Sequence, residues 1–452
     1  MGLVKISNIP IYVPVIGFTG ALGSGCSFIA DNLAGQRDYL KVGLSDILHQ
    51  MLREKGLPES VDNLQNLGND LRKQHGQDYL SMEAITRADR QWPSGHYNGV
   101  ILDGFRNAAE IEPLSQIPNF HLIAVQASEA KREERLTKKK RCVNHEEFVR
   151  TAKRDSEERD SYGQQVSRCM QLADIVIQNE EDVSINMPSE VAAFIHDTLC
   201  KTYLAMIERK SQGESTFDFQ PTITESLMAS AYAVSRRSRC LKRSVGAIVA
   251  DANGAIVASG FNDVPRGSNA CAARQGDTWC NRDIRMQEVG QYLEVCPACG
   301  AKIAYALECR NCGQEISQYV RWCPKCRSEI EVDYACVNCG LKIFDKFFPK
   351  LLEVCRSLHA EEMALMNMIR NSSAIPSGAT LYVTTYPCNL CANKIVAAGV
   401  ARVIYSESYE SSDSKEIFRN GGVSVIPFEG VKNTAYFKFY CCGRTAKNEA
   451  GK

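Results

Sequence analysis

Two short segments late in the chain hold the residue types best suited to chemistry. His359 stands two residues before Glu361, and a Pro-Cys-x-x-Cys segment places Cys388 and Cys391 three residues apart. One imidazole and two thiolates give zinc three protein ligands and leave its fourth position open for water. Zinc in such a site lowers the pKa of that water towards neutrality. We therefore predict a catalytic zinc site at His359, Cys388 and Cys391.

Glu361 is predicted to move protons and not to bind the metal. It would take a proton from the attacking water, deliver it to a ring nitrogen and later help protonate departing ammonia. The residues follow the H-x-E … P-C-x-x-C signature of zinc-dependent nucleobase deaminases, in which C4 of cytosine is attacked. An ordinary helix start beside two unrelated buried cysteines would explain either segment alone, but not both in this order.

The first part of the chain, residues 1–207, is predicted to be a parallel α/β domain. Strand-like apolar runs at 11–19, 100–103 and 122–125 alternate with helical spacing of apolar residues. That alternation is typical of parallel strands joined by crossover helices. Residues 208–220 are polar and lack apolar periodicity, so they are predicted to be a linker.

A second α/β domain is predicted from residues 221–286 and 351–445. Its early strand-like runs are joined by Asp251-Ala-Asn-Gly254, a sequence that favours a tight hairpin turn. A later strand-like run at 381–385 leads into the helix that begins near the Pro-Cys segment. The positive end of that helix would favour the thiolate form of both cysteines.

Residues 287–350, between these two pieces, contain an internal repeat of cysteine pairs. Its eight cysteines are Cys296, Cys299, Cys309, Cys312, Cys323, Cys326, Cys336 and Cys339. Two sets of four thiolates predict two closed, structural zinc sites in a double zinc ribbon. Chain order favours the first four cysteines for one ion and the last four for the other, and an interleaved pairing stays open. Basic residues of the insertion are offset by acidic ones, which favours a scaffold over a nucleic-acid surface.

A glycine-rich segment near the N-terminus resembles a P-loop. Gly20, Gly23 and Gly25 are followed by Cys26 and Ser27, which fits G-x4-G-x-S with cysteine at the usual lysine position. Such a loop can cradle phosphate with its backbone N–H groups, and its serine can reach Mg²⁺. Without the lysine we expect nucleotide binding and not kinase turnover. The alternative is a strand–helix turn that binds nothing.

Further segments of residues 10–200 resemble nucleoside kinases and dephospho-coenzyme-A-type kinases. They are Leu44–Asp46, Val100–Arg106 and Ala173–Ile177. The resemblance implies that Asp103, at the end of a strand, organises magnesium. Arg106 would contact phosphate or pair with a carboxylate.

The second domain resembles the deoxycytidylate (dCMP) deaminases of the cytidine-deaminase superfamily. The matching segments are Ser238–Val249, Ser259–Gly267, Thr380–Cys388 and Ala397–Tyr405. The resemblance implies an α/β/α sandwich around a mixed sheet and a homo-oligomer. It also implies that Asn262 hydrogen-bonds the nucleoside and that Tyr409 lies near the substrate. Asp263 departs from the glycine common at its position.

A P-loop domain joined to such a deaminase domain resembles the bacterial antiviral dCTP deaminases. We therefore expect hydrolytic deamination of free deoxycytidine nucleotides, dCTP to dUTP or dCMP to dUMP, gated by a purine nucleotide at the P-loop and serving antiviral nucleotide depletion. The alternatives are an RNA or DNA base editor guided by the zinc ribbons, and a nucleotide sensor with minor deaminase activity.

Composition agrees with a small-molecule enzyme. The 452 residues include 53 basic and 53 acidic side chains, and this balance disfavours a long nucleic acid as partner. No apolar run of membrane-spanning length and no signal peptide are found, so we expect a cytoplasmic protein. Its 20 cysteines are then better explained as metal ligands and buried thiols than as disulfides.

Overall fold

The structure is a computed structural model, and it describes most of the chain. The described residues are 6–139, 144–156, 162–180, 195–214, 216, 218–270, 280, 307–308, 314–316, 325, 355–371, 374–407 and 412–440. The chain divides into two compact units, which we call the first unit (residues 1–229 and 426–452) and the second unit (residues 230–425). Each unit has its own sheet and its own apolar core.

A six-stranded sheet lies at the centre of the first unit. Its strands are β1 (Val15–Gly20), β2 (Tyr39–Gly43), β3 (Gly99–Phe105), β4 (Phe120–Gln126), β5 (Ile175–Gln178) and β13 (Gly430–Val431). The spatial order is β13-β5-β4-β1-β3-β2, with β1 to β5 parallel and β13 antiparallel to β5. Strand β1 is buried along its whole length, as expected of a central parallel strand with both faces covered.

Helices connect these strands and confirm the predicted parallel α/β arrangement. They are α1 (Cys26–Arg37), α2 (Leu44–Glu54), α3 (Val61–His75), α4 (Tyr79–Gln91), α5 (Glu129–Lys138), α6 (His145–Ser156), α7 (Val166–Leu172) and α8 (Ala205–Ser211). A π-helical stretch, Ile195–Leu204, leads into α8. Helix α1 buries Ile29, Ala30 and Leu33, whose spacing places them on one helical face.

The second unit is built on a mixed five-stranded sheet. Its strands are β6 (Gly246–Ala250), β7 (Ile256–Phe261), β10 (Thr380–Thr385), β11 (Arg402–Glu407) and β12 (Ser424–Pro427), in the order β12-β11-β10-β6-β7. Its helices are α9 (Ile223–Ser235), which crosses the division between the units, α10 (Ala360–Arg370), α11 (Asn389–Ala397) and α12 (Ser412–Asn420). In the described part of both units, no helix is long and apolar enough to span a bilayer.

The predicted hairpin forms at the start of this sheet. Strands β6 and β7 pair antiparallel, and Gly254 in their turn has a φ of 85° that favours glycine. The Asp251 carboxylate accepts hydrogen bonds from the backbone N–H groups of Asn253 and Ala255, at 2.9 and 2.8 Å. Strand β10 then pairs antiparallel with β6 and parallel with β11, so the strand before the Pro-Cys segment is central in the sheet.

The first unit is completed by a later part of the chain, residues 426–452. The chain returns to the first unit after residue 425, where β13 covers the edge of β5 and α13 (Asn433–Tyr440) packs on the core with Phe439 fully buried. Within the predicted linker, Thr216 donates a hydrogen bond to the Phe439 carbonyl at 2.9 Å, and the predicted boundaries of the linker and the domains stay predictions. By pairing with β5, strand β13 provides partners for backbone groups that an open sheet edge would leave exposed. Helix α13 buries its apolar side chains in the core of the same unit.

Candidate functional site

His359, Cys388 and Cys391 come together in the second unit as predicted. His359 Nδ1 lies 3.4 Å from Cys388 Sγ and 3.3 Å from Cys391 Sγ, and all three ligand atoms lie within 4.8 Å of one another. Zinc bonds of about 2.0–2.3 Å in a tetrahedron place neighbouring ligand atoms about 3.5 Å apart. The three side chains therefore fit one zinc ion in both chemistry and spacing, and three protein ligands leave one position open.

Two helix N-termini position these ligands. His359 is the N-cap residue of α10, and Cys388 is the N-cap residue of α11, with Cys391 in its first turn. Strand β10 ends at Thr385, three residues before Cys388, so the central strand delivers the Pro-Cys segment to the site. The positive ends of both helix dipoles favour negative charge here.

The hydrogen bond between Cys388 and Cys391 shifts the pKa values of the two thiols in opposite directions. A hydrogen bond from Cys391 lowers the pKa of Cys388 to about 4, whereas the same hydrogen bond raises the pKa of Cys391. Cys388 is therefore a thiolate near neutral pH, and this is the form that binds metal.

Glu361 lies in the first turn of α10, two residues beyond His359. Its side chain is buried, and burial raises the pKa of its carboxyl group to about 7. A carboxyl group that exchanges its proton near neutral pH suits general acid–base catalysis. The predicted role of Glu361 as a proton carrier that does not bind the metal stays a prediction.

The loop that carries Asn262 is joined to the chain segment just before His359. The Asp263 carbonyl accepts a hydrogen bond from the Leu358 N–H at 2.9 Å, and the Asp263 carboxylate binds Arg239 Nε at 2.9 Å. Asp263, the position that departs from glycine, therefore holds this loop in place. Asn262 is buried and uses its amide group to bind the backbone of Val245 and Arg243, at 2.7 and 2.8 Å.

The predicted nucleoside contact of Asn262 stays a prediction, as do the other binding residues of this region. Asn262 Nδ2 carries a second hydrogen that a ligand can use. Tyr409 lies outside the described residues, as do all eight cysteines of the insertion. The described part of the insertion includes a short antiparallel ladder between β8 (Leu307–Glu308) and β9 (Glu315–Ile316).

Gly260 is a residue of the site that sequence reasoning missed. It lies on β7 directly against α10, where a Cβ atom would come within 2.3 Å of the Ala360 carbonyl oxygen and of the Ala364 nitrogen. Glycine therefore lets the helix that carries Glu361 approach the sheet. The available signal was a glycine inside a strand pattern, which often marks close approach of another backbone.

A second candidate site lies at the glycine loop of the first unit. Gly23 and Gly25 have φ angles of 86° and 89°, and Gly25 caps α1 so that the helix N-terminus opens towards the loop. Arg135 of α5 donates hydrogen bonds to the carbonyl groups of Gly23 and Ser24, at 3.3 and 3.2 Å. These contacts hold the loop and place the positive charge of Arg135 beside it, and its predicted binding of phosphate stays a prediction.

The loop borders a cavity of about 340 Å³ that is lined by both polar and charged side chains. Cys26 donates a hydrogen bond to Asp103 Oδ1 at 3.3 Å, and Ser27 is exposed at the loop. Arg106, for which the sequence left two roles open, pairs with the Asp155 carboxylate at 2.7 Å and donates to the Gly20 carbonyl at 3.1 Å. Arg106 thus supports the loop from one side.

Comparison with known proteins finds relatives for both parts of the chain. Residues 221–407 match the model of the cytidine and deoxycytidylate deaminase zinc-binding region. The chain is 28% identical to the deoxycytidylate deaminase of Enterobacteria phage T4 over 201 residues, which are 43% of this chain and 84% of that protein. It is 22% identical to the deoxycytidylate deaminase of Schizosaccharomyces pombe over 427 residues, 94% of this chain and 100% of that protein.

The N-terminal part has relatives of its own. A UPF0200 protein of Methanococcus vannielii is 30% identical over 169 residues, which are 37% of this chain and 88% of that protein. The chain therefore belongs to the UPF0200 family in its N-terminal part, and its residues 221–407 are similar to the cytidine and deoxycytidylate deaminase zinc-binding region.

Proposed function

We propose that this protein deaminates the cytosine of free deoxycytidine nucleotides, with dCMP and dCTP as the candidate substrates. The observation that supports the proposal most directly is the cluster of His359, Cys388 and Cys391 beside the buried carboxyl group of Glu361. A three-ligand site with an adjacent proton carrier is the arrangement required for hydrolysis at C4 of cytosine.

His359, Cys388 and Cys391 would hold the zinc, which supplies a water of lowered pKa when bound. Glu361 would take a proton from the attacking water and deliver it to N3 of the ring as the water oxygen bonds to C4. Glu361 would then carry the remaining proton from the new C4 hydroxyl group to the exocyclic nitrogen, so that the C4–N bond breaks, ammonia leaves and a C4 carbonyl forms. The oxygen of the water thereby replaces the amino group at C4, and the product is the uracil nucleotide.

A free nucleotide is favoured over a nucleic acid by charge. The chain has as many acidic as basic side chains, 53 of each, whereas strong binding to a phosphate backbone draws on an excess of lysine and arginine. The relatives named deoxycytidylate deaminase support the same substrate class, and one of them is matched along 94% of this chain. Depletion of a DNA precursor during infection is the cellular role proposed for this activity.

The two predicted ribbon sites are proposed to be structural, because four thiolates close the coordination sphere of zinc. The P-loop site is proposed to bind a purine nucleotide that gates the deaminase. This proposal is supported by the conformation of the loop, in which Gly23 and Gly25 adopt left-handed backbone angles next to a cavity. A ligand gates an enzyme only if it binds the active and inactive states with different affinity.

A substrate panel tests the proposed chemistry. Zinc-loaded protein is incubated with dCMP, dCTP, CMP, CTP and a deoxycytidine oligonucleotide, with and without ATP or GTP, and ammonia release is measured. We expect activity on a deoxycytidine mononucleotide with weak dependence on salt. Editing of the oligonucleotide alone, with steeply salt-sensitive binding, would instead identify a base editor.

A further inference from the structure

The carboxylate expected to organise Mg²⁺ at the P-loop already has two partners. Asp103 lies near the end of β3, beside β1, and its side chain is almost fully buried. Its Oδ1 accepts the hydrogen bond from Cys26, and its Oδ2 lies 3.7 Å from Lys41 Nζ on β2. The sequence alone predicted magnesium here, but the surroundings of Asp103 do not fit that ion.

Both partners keep the charge state that opposes a metal. Burial raises the pKa of Cys26 well above its usual value, so the thiol stays neutral and cannot serve as an anionic ligand. Burial lowers the pKa of Lys41, but the hydrogen bond to Asp31 and the charge of Asp103 outweigh it and raise the pKa overall. A divalent cation at Asp103 would thus meet a permanent ammonium group at close range, and their repulsion in a partly buried site is strong.

The cavity nevertheless has features of a built ligand site. Ser24 and Gln65 line it and are 1% and 3% exposed, and neither Ser24 Oγ nor Gln65 Oε1 has a hydrogen-bond partner among the residues that the structure describes. Buried polar atoms without partners are costly, so a ligand that pairs with them is bound favourably. The Ser24 hydroxyl can donate to a phosphate oxygen, whereas Gln65 Oε1 requires a donor such as a base amino group or a sugar hydroxyl.

We propose that the P-loop cavity binds a nucleotide polyphosphate without Mg²⁺, with Lys41 supplying from β2 the cation that position 26 lacks. Lys41 lines the same cavity as the loop, and its side chain is 18% exposed, so its ammonium group can contact an entering phosphate while it stays beside Asp31 and Asp103. This inference rests on the proposed nucleotide binding at the P-loop and specifies its chemistry. It also predicts binding without phosphoryl transfer, since no metal would neutralise the transferred charge.

Calorimetry of the full-length, zinc-loaded protein with ATP tests the proposal. The titration is run in resin-treated, magnesium-free buffer and repeated with millimolar MgCl₂. We expect the two dissociation constants to agree within about twofold. The variant Lys41→Met should weaken metal-free binding by about tenfold or more, the scale of a lost hydrogen bond to a charged group. Lys41→Arg should retain it, and Lys55→Met, at an exposed lysine away from the cavity, should match the parent protein.

Three results would overturn the inference. ATP binding that appears only with MgCl₂ would do so while leaving nucleotide binding at the P-loop intact. Unchanged metal-free binding in a folded Lys41→Met variant, with folding checked by circular dichroism, would show that Lys41 is not the cation. No ATP binding under either condition would remove the proposed P-loop ligand together with this inference, and the substrate panel would still decide the deaminase chemistry separately.

Discussion

Gly260 on strand β7 lies against Ala364 of helix α10 so closely that a Cβ atom on Gly260 would come within 2.3 Å of the Ala364 nitrogen. The same Cβ atom would lie 2.3 Å from the carbonyl oxygen of Ala360, which is in the helical turn that carries Glu361. The close approach of the two backbones therefore sets the distance between the sheet and the helix that carries Glu361.

Gly260→Ala is expected to displace this helix. Overpacking of this kind costs about 1–3 kcal/mol of stability, and a shift of about 1 Å at a reacting group lowers kcat by up to about 100-fold. Steady-state kinetics and thermal unfolding check both effects. Gly35→Ala is the matched control, because a Cβ there meets nothing within 4 Å. Wild-type kcat in Gly260→Ala would contradict the positioning role of Gly260.

Glu361→Gln should abolish most deamination while leaving zinc content near that of the parent protein. The amide keeps the size of the side chain but cannot carry the proton, a role worth about 10²–10⁴-fold in rate. Ammonia release and elemental analysis on the same sample measure both quantities. Glu416→Gln, on an exposed face of α12, is the matched control. Loss of zinc in Glu361→Gln would indicate a ligand and not a proton carrier.

Elemental analysis should find three zinc ions per chain. One belongs to His359, Cys388 and Cys391, and two belong to the predicted ribbon sites. Cys299→Ser should lower the zinc content by one and destabilise the fold more than it changes kcat, because structural zinc contributes to folding. A single zinc, or a visible iron–sulfur absorption band, would refute the ribbon assignment.

Phe439→Ala should destabilise the first unit strongly, although it lies beyond the deaminase region of the sequence. Phe439 is fully buried in the core of that unit, and truncation of a buried phenylalanine costs about 3–5 kcal/mol. Phe437, on the same helix, is 67% exposed, so Phe437→Ala should have little effect. Denaturant unfolding of both variants tests this, and equal stabilities would show that α13 does not support the unit.

Gly25→Val should remove any response of the deaminase to ATP or GTP. Gly25 has a φ of 89°, and a side chain there would collide with Asn179 Nδ2 at 2.3 Å, so the phosphate cradle would distort. Ammonia release with and without nucleotide gives the response, and zinc content serves as the internal control. A preserved response in Gly25→Val would place the regulatory nucleotide elsewhere.

The sequence by itself determined the features that depend on short-range spacing. Two cysteines three residues apart form a ligand pair, and a glutamate two residues after a histidine lies in the same helical turn, once helices begin at those points, and α10 and α11 begin there. The same holds for the hairpin at Gly254 and for the left-handed Gly23 and Gly25. Such features can be predicted from the sequence because helix capping and tight turns depend on the dihedral preferences of neighbouring residues.

Tertiary structure decided which distant segments meet. The approach of His359 to Cys388, 29 residues away, follows from the central place of β10 in its sheet. The pairing of Lys41 with Asp103 depends on β2 lying beside β3, and the return of Gly430 to Val176 of β5 covers an edge that β5 would otherwise expose. No local periodicity encodes these contacts, because strand order and edge covering are set by how the whole chain buries its apolar surface.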